Sequence, residues 1–94
     1  MLAAIDTVFK ELYVANVGDS RLVIGYEGGS FRETTDHKPD LERERLRKCG
    51  ALVTQEEENI WRVNKQLSVS RTIGDTNMKN NGVICEPDFY RYSL

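Results

Sequence analysis

Residues 12–21 read LYVANVGDSR, an apolar run that breaks abruptly into Gly-Asp-Ser-Arg, and no other stretch constrains the fold as much. Leu12, Tyr13, Val14, Ala15 and Val17 favour a strand and show no polar alternation, which predicts a strand covered on both faces. A second β-rich run, Leu22 to Tyr26, follows at once. Asp19 is therefore expected in the tight link between two buried strands, where Gly18 supplies the freedom to turn. A carboxylate at the rim of an apolar sheet is costly unless it meets a partner or a cation.

The flanking segments extend a sheet. Residues 2–9, LAAIDTVF, suit either a strand or one amphipathic turn; the polar break at Lys10-Glu11 favours a strand pairing antiparallel with residues 12–17. Glu27-Gly28-Gly29-Ser30 is a turn, and Phe31 to Thr35 returns as a more polar strand, so a meander of three or four antiparallel strands is expected. Asp36-His37-Lys38-Pro39 leaves this sheet. Asp40 is then expected to cap a helix over residues 41–49, with Glu42 and Glu44 near its positive end, Arg47 and Lys48 near its negative end, and Gly50 as the stop. Its apolar stripe, Leu41, Leu46 and Cys49, is narrow enough to make it a thinly docked surface helix.

Beyond the helix, Ala51 to Val53 reads as a short strand, 55–59 as an acidic loop and Ile60 to Val63 as a strand pairing back, with Trp61 as a core anchor. A second cluster rich in Arg, Gly and Asp, residues 71–75, follows Leu67 to Ser70. Residues 79–82 read as a polar loop, Val83 to Cys85 as a strand start and Phe89 to Tyr92 as a last extended run.

A chain of 94 residues holds one domain at most, and burying about 60–65% of its unfolded surface makes its stability modest. A net charge of −2 offers no support for binding nucleic acid or an anionic membrane. No apolar run approaches the roughly 20 residues needed to span a bilayer, and the first residues lack a basic leader. Cys49 and Cys85 are isolated, which reads as reduced thiols in a cytoplasmic or nuclear protein; a single histidine, His37, excludes a multi-histidine zinc site within the chain.

Five motifs stand in order: ANVGDSR at 15–21, DHKP at 36–39, ERERLRKCGALV at 42–53, RVNKQLSVSRTIGD at 62–75 and EPD at 86–88. Together they resemble the middle of a PP2C-type (PPM family) metal-dependent protein serine/threonine phosphatase. The resemblance implies an α+β fold: part of an antiparallel β-sandwich with one short flap helix over about residues 41–49. It divides a single partial domain, 1–94, into core strands (about 3–35), a flap region (about 36–69) and a return segment (about 70–94). It also implies phosphomonoester hydrolysis on phosphoproteins by a pair of Mn²⁺ or Mg²⁺ ions, which generate a nucleophilic hydroxide and neutralise phosphoryl oxygens.

By the same resemblance Asp19 takes the position of a ligand to a third, weaker metal ion. The bland alternative has Asp19 capping the turn, with Gly18, Ser20 and Arg21 serving backbone geometry and pairing. Arg71, Gly74 and Asp75 match the SRxxGD motif, and Arg71 and Asp75 are expected to form an internal salt bridge tying the flap's exit to the sheet. Asp36 and His37 belong to DHKP, so His37 is not the family's general acid. Ala51 and Lys65 stand where the family usually has glycine.

The family's upstream DGHGG-like segment and downstream CDG-type segment, which carry the other metal aspartates, have no counterpart in this sequence. The expectation is a fragment of a phosphatase, inactive alone, holding no metal tightly and self-associating through exposed strands. The alternative is a non-catalytic interaction module of the same descent, and a small β-rich domain with no function of its own is a third reading.

Overall fold

The computed structural model describes residues 1–94. Strands β1 (Leu2–Asp6) and β2 (Glu11–Asn16) form an antiparallel hairpin in which Leu2 faces Ala15 and Asp6 faces Glu11. The Asp6 carboxylate closes its turn by accepting the amides of Val8 and Phe9 at 2.9 and 3.0 Å. Residues 2–9 thus adopt the favoured strand reading, with a turn beginning after Asp6.

The continuous meander does not form. β3 (Val23–Gly25) and β4 (Phe31–Glu33) make a separate two-stranded hairpin. The free edge of β2 is taken by the last strand, β7 (Asp88–Ser93), giving a sheet of order β1-β2-β7. That pairing sets Tyr92 opposite Leu12 and Tyr90 opposite Val14, where the two rings stack at 5.9 Å on one face. Leu12, Val14 and Tyr92 are buried there, with Leu22, Ile24 and Tyr90 packed against them. The link from Gly18 to Arg21 carries the chain out of the sheet, so β3 packs near β2 without bonding to it.

β2 is covered on one face only. Its residues alternate, with Leu12, Val14 and Asn16 buried and Tyr13 44% exposed on the opposite side. Leu2 and Phe89 share that open face, in a row with Ala15.

A second core lies under the helix α1 (Arg43–Lys48): Leu46, Ala51, Val53, Val63, Met78 and Val83 are buried together. β5 (Val53–Glu57) and β6 (Ile60–Val63) form its hairpin, so the expected acidic loop is mostly strand, irregular between Gln55 and Glu57. Residues 76–81 form a 3-10 helix in place of part of a loop. Of Val83 to Cys85, only Ile84 bridges, to Arg71.

α1 is shorter than the charge pattern suggests. The amides of Leu41 and Glu42 bond to the Lys38 carbonyl, a turn that delays the helix to Arg43. The N-cap position is Glu42, not Asp40, and no side chain caps it. Leu41 is 62% exposed and only Leu46 is buried, so the apolar stripe shrinks to one residue. Two small cores in place of one give a radius of gyration of 15.6 Å, against about 12 Å for a compact domain of this length.

Candidate functional site

Four of the sequence motifs meet at His37. This side chain is 2% exposed. Its Nδ1 accepts the Gly18 amide at 3.0 Å, which fixes the proton on Nε2, and Nε2–H donates to Asp88 Oδ2 at 2.9 Å. Its backbone completes the junction: the His37 amide donates to the Gly18 carbonyl at 2.9 Å and its carbonyl accepts the Ser70 amide at 3.0 Å. Gly18 lies at φ +102°, a left-handed conformation that β-branched or bulky residues avoid. The buried Asn16 amide donates to the same Gly18 carbonyl at 3.3 Å. One histidine therefore joins the GDSR turn, the DHKP loop, the exit of the flap and the start of β7.

Around it the charged residues pair off. Arg21 grips Asp36 with Nε and Nη2 at 3.0 and 2.9 Å and approaches Glu33 at 3.8 Å. The Arg21 guanidinium holds the Asp36 carboxyl below the usual carboxylate range. Ser20 lies exposed in the same turn.

Arg71 does not bridge to Asp75. Its Nε and Nη2 donate to Glu42, while Nη1 donates to the Glu86 carbonyl and to Asp88 Oδ1 at 2.9 and 3.4 Å. The flap's exit is still tied to the sheet, but through Asp88 at the start of β7. Glu42 also accepts from Ser70 Oγ and from Arg45 at 3.1 Å. Burial pushes the Glu42 carboxyl up, yet the hydrogen bonds from Arg71, Ser70 and Arg45 outweigh it and hold the group at about 2. Gly74 (φ +93°) and Asp75 (φ +46°) instead form the left-handed entry to the 3-10 helix, with Asp75 exposed and its carbonyl accepting the Met78 amide.

Asp19 does not cap its turn either. Its carboxylate is about half exposed and accepts Lys38 Nζ at 2.8 Å. Glu42 and Asp88 carry as much of this site as any predicted residue, and sequence reasoning passed over both. Both had a signal, Asp88 in the EPD motif and Glu42 as the first residue of ERERLRKCGALV, where it stands among several acids of a charge run.

The pattern of motifs converging on one buried histidine can be set beside known proteins. A family model described as protein phosphatase 2C matches residues 3–94. The chain belongs to the protein phosphatase 2C family. It is 43% identical over 86 residues to "Protein phosphatase 1K, mitochondrial" of Xenopus laevis, covering 89% of this chain and 23% of that protein. With "Probable protein phosphatase 2C 9" of Arabidopsis thaliana it shares 40% identity over 79 residues, 84% of this chain and 28% of the relative. Among solved structures, a Caenorhabditis elegans sex determining protein superposes with a TM-score of 0.79 at 27% identity, over 98% of this chain and 22% of that one. Serine-threonine phosphatase 2C from Toxoplasma gondii gives 0.75 at 25% identity, over 90% and 34%. The chain thus spans about a quarter of the length of the curated relatives it matches.

PP2C enzymes imply a centre of hard divalent cations, and the side chains here do not fit one. Such ions need several oxygen ligands. No three His, Cys, Asp or Glu side chains converge anywhere in the chain. Asp36, Glu42 and Asp88 are already engaged by Arg21, Arg71 and His37, and Asp19 by Lys38. The PP2C motifs in this chain build a polar scaffold that positions the Asp19 turn.

Proposed function

We propose that residues 1–94 form the central portion of a PP2C-type protein serine/threonine phosphatase domain, whose complete form hydrolyses phosphoserine and phosphothreonine in phosphoproteins with Mn²⁺ or Mg²⁺. In this reading the chain supplies the structural heart of the site and Asp19 at its rim, and it releases no phosphate alone. The observation that carries the reading is the arrangement of carboxylates: Asp36, Glu42 and Asp88 are held inside the junction by Arg21, Arg71 and His37, while Asp19, paired with Lys38, stands about half exposed at its rim. Action in the cytoplasm or nucleus belongs to the same proposal. No helix is long and apolar enough to cross a membrane, and both cysteines are free.

The test is a phosphate-release assay on a phosphothreonine peptide with Mn²⁺, comparing residues 1–94 with a chain carrying flanking DGH and CDG segments. Activity is expected from the longer chain alone. Robust Mn²⁺-dependent release by residues 1–94 would defeat the reading.

A second reading, a non-catalytic interaction module, is favoured by the open face of the β1-β2-β7 sheet. An apolar depression of about 360 Å³ there is lined by Leu2, Ala4, Tyr13, Ala15 and Phe89. The same face supports self-association of the chain. The two readings part on whether the neighbouring coding sequence encodes the missing metal-ligand segments.

A further inference from the structure

We propose that the depression at the closed end of the β3–β4 hairpin is a phosphate-binding site, in which Arg32 supplies the charge and the hydroxyls of Ser30 and Tyr92 supply further donors. The site stands apart from the Asp19 turn and does not depend on the phosphatase reading.

Arg32 is the one arginine that the fold leaves unengaged. Arg21, Arg45, Arg62, Arg71 and Arg91 pair with carboxylates. Arg47 donates to the Val53 carbonyl at 2.8 Å, and Arg43 covers the Trp61 ring. Arg32 alone has no ion pair, hydrogen bond or ring contact. The strand register sets where it lies. Arg32 stands opposite Ile24, and directly opposed residues share a face of the hairpin. Ile24 packs on the core of Leu12, Val14 and Tyr92, so Arg32 lies on the side that meets β7. Glu33, the next residue, takes the other side, where Arg21 approaches it at 3.8 Å.

Hydroxyls gather beside this guanidinium. The Tyr26 amide closes the hairpin turn on the Ser30 carbonyl at 2.8 Å, and the Tyr26 hydroxyl crosses to the Ser93 carbonyl at 3.4 Å. Tyr26, Ser30, Arg32 and Ser93 line a depression of about 340 Å³, with no carboxylate among them. Tyr92 approaches from the core. It is 6% exposed, and its hydroxyl makes no hydrogen bond. Burial pushes the Tyr92 phenol up, and Arg32 is the one cation that opposes the shift, which places the guanidinium near the phenol.

An unpartnered guanidinium beside an unpartnered, nearly buried hydroxyl is rich in donors and calls for an oxyanion. The planar fork of arginine binds two oxygens of a carboxylate or a phosphate side by side. A carboxylate is then used up, whereas a tetrahedral phosphate keeps a further oxygen for Ser30 and Tyr92. The donor set therefore favours phosphate.

The experiment is a titration of residues 1–94 with sodium phosphate at neutral pH and constant ionic strength, read by backbone amide shifts, with O-phosphoserine run in parallel. Saturable shifts confined to residues 25–32 and 92–93 are expected, with half-saturation at about 1–10 mM, the weak range of one largely exposed guanidinium. Arg32→Gln is expected to weaken binding about tenfold or more, and Tyr92→Phe, which keeps the ring in the core, about two- to tenfold. Lys65→Gln, which removes a cation from the turn after β6, is expected to stay within about twofold of wild type. Tighter binding of phosphate assigns the site to the free ion, and tighter binding of phosphoserine assigns it to a phosphate ester; both support the proposal. Absence of saturable binding, shifts centred elsewhere, or equal binding by wild type and Arg32→Gln overturns it. So does an unchanged midpoint in Tyr92→Phe. The readout is binding, so phosphate release by residues 1–94 would defeat the functional reading and leave this one standing.

Discussion

Arg71 holds Glu42 with two guanidinium nitrogens, Nε at 3.0 Å and Nη2 at 2.6 Å, across 29 residues of sequence. The pair is largely buried, with the Glu42 side chain 16% and the Arg71 side chain 14% exposed. It joins the entry of α1 to the exit of the flap, and Arg71 extends the junction to Asp88 at the start of β7.

That pair gives the chain an acid-labile contact. Glu42 stands at about 2 in the folded protein against 4.5 as the ordinary value, so its folded pKa is depressed. Its stabilisation is therefore fully present above pH 4.5 and is lost as pH falls toward 2. With allowance for partial exposure, the contribution is about 1–3 kcal/mol. Glu42→Gln is expected to lower the unfolding free energy by that amount at pH 7 in urea denaturation, with the gap to wild type closing as pH approaches 2. A gap that stays constant with pH would show that the charge on Glu42 is not what stabilises the junction.

His37 is expected to be the most sensitive single position in the junction. Its replacement by alanine strands the buried Gly18 amide and removes a bond to Asp88. Leaving a buried donor unpaired costs about 1–3 kcal/mol, on top of the cavity left by the ring. Asp88→Asn keeps an acceptor for Nε2–H and is expected to cost less. Denaturation midpoints give the order, and amide exchange at Gly18 gives the cause: it should accelerate in His37→Ala more than in Asp88→Asn.

The sequence is legible wherever one local pattern decides the outcome. The run from Leu12 to Val17 announces β2, and Gly18 announces the turn after it. What closes β2 is β7, more than 70 residues away, and no local pattern names a partner at that distance. The helix shows the same limit. Asp40, Glu42 and Glu44 look alike in a charged run, yet Glu42 is the one that Arg71 and Ser70 grip from the flap's exit. Asp75 fails for the converse reason, since the left-handed backbone after Gly74 leaves it exposed and away from Arg71. At Lys65 the glycine that the resemblance implies matches a left-handed backbone, φ +59°; at Ala51 the implied glycine has no such counterpart, as Gly50 beside it carries the positive φ.

Lys65 therefore marks a site where stability can be gained. Asn64 and Lys65 have φ of +50° and +59°, and the Gln66 amide closes the turn on the Val63 carbonyl at 3.0 Å. Left-handed backbone costs a non-glycine residue roughly 1–2 kcal/mol, and glycine returns part of that gain through its freer unfolded chain. Lys65→Gly is expected to stabilise the protein by about 0.5–1 kcal/mol, a rise of roughly 2–8 °C in melting temperature. Calorimetry showing a fall would mean that the turn does not hold this conformation in solution.

The open sheet face argues for association. Across its outer side Leu2, Ala15 and Phe89 stand in one row and Ala4, Tyr13 and Arg91 in the next, with Phe89 78% and Leu2 72% exposed. The outer edge of β1, Leu2 to Ile5, has no hydrogen-bonded neighbour and carries neither proline nor charge, the devices that keep sheet edges apart. A second copy meets both needs, extending the sheet at β1 and covering the apolar rows. Light scattering on a sizing column is expected to give a mass well above the 10.8 kDa of one chain. Phe89→Glu is expected to bring the mass down toward one chain while leaving the fold intact, because Phe89 contributes almost nothing to either core. A wild-type mass of a single chain at about 100 μM, a concentration at which an association of even micromolar affinity is nearly complete, would mean that this face is covered by something other than its own copy.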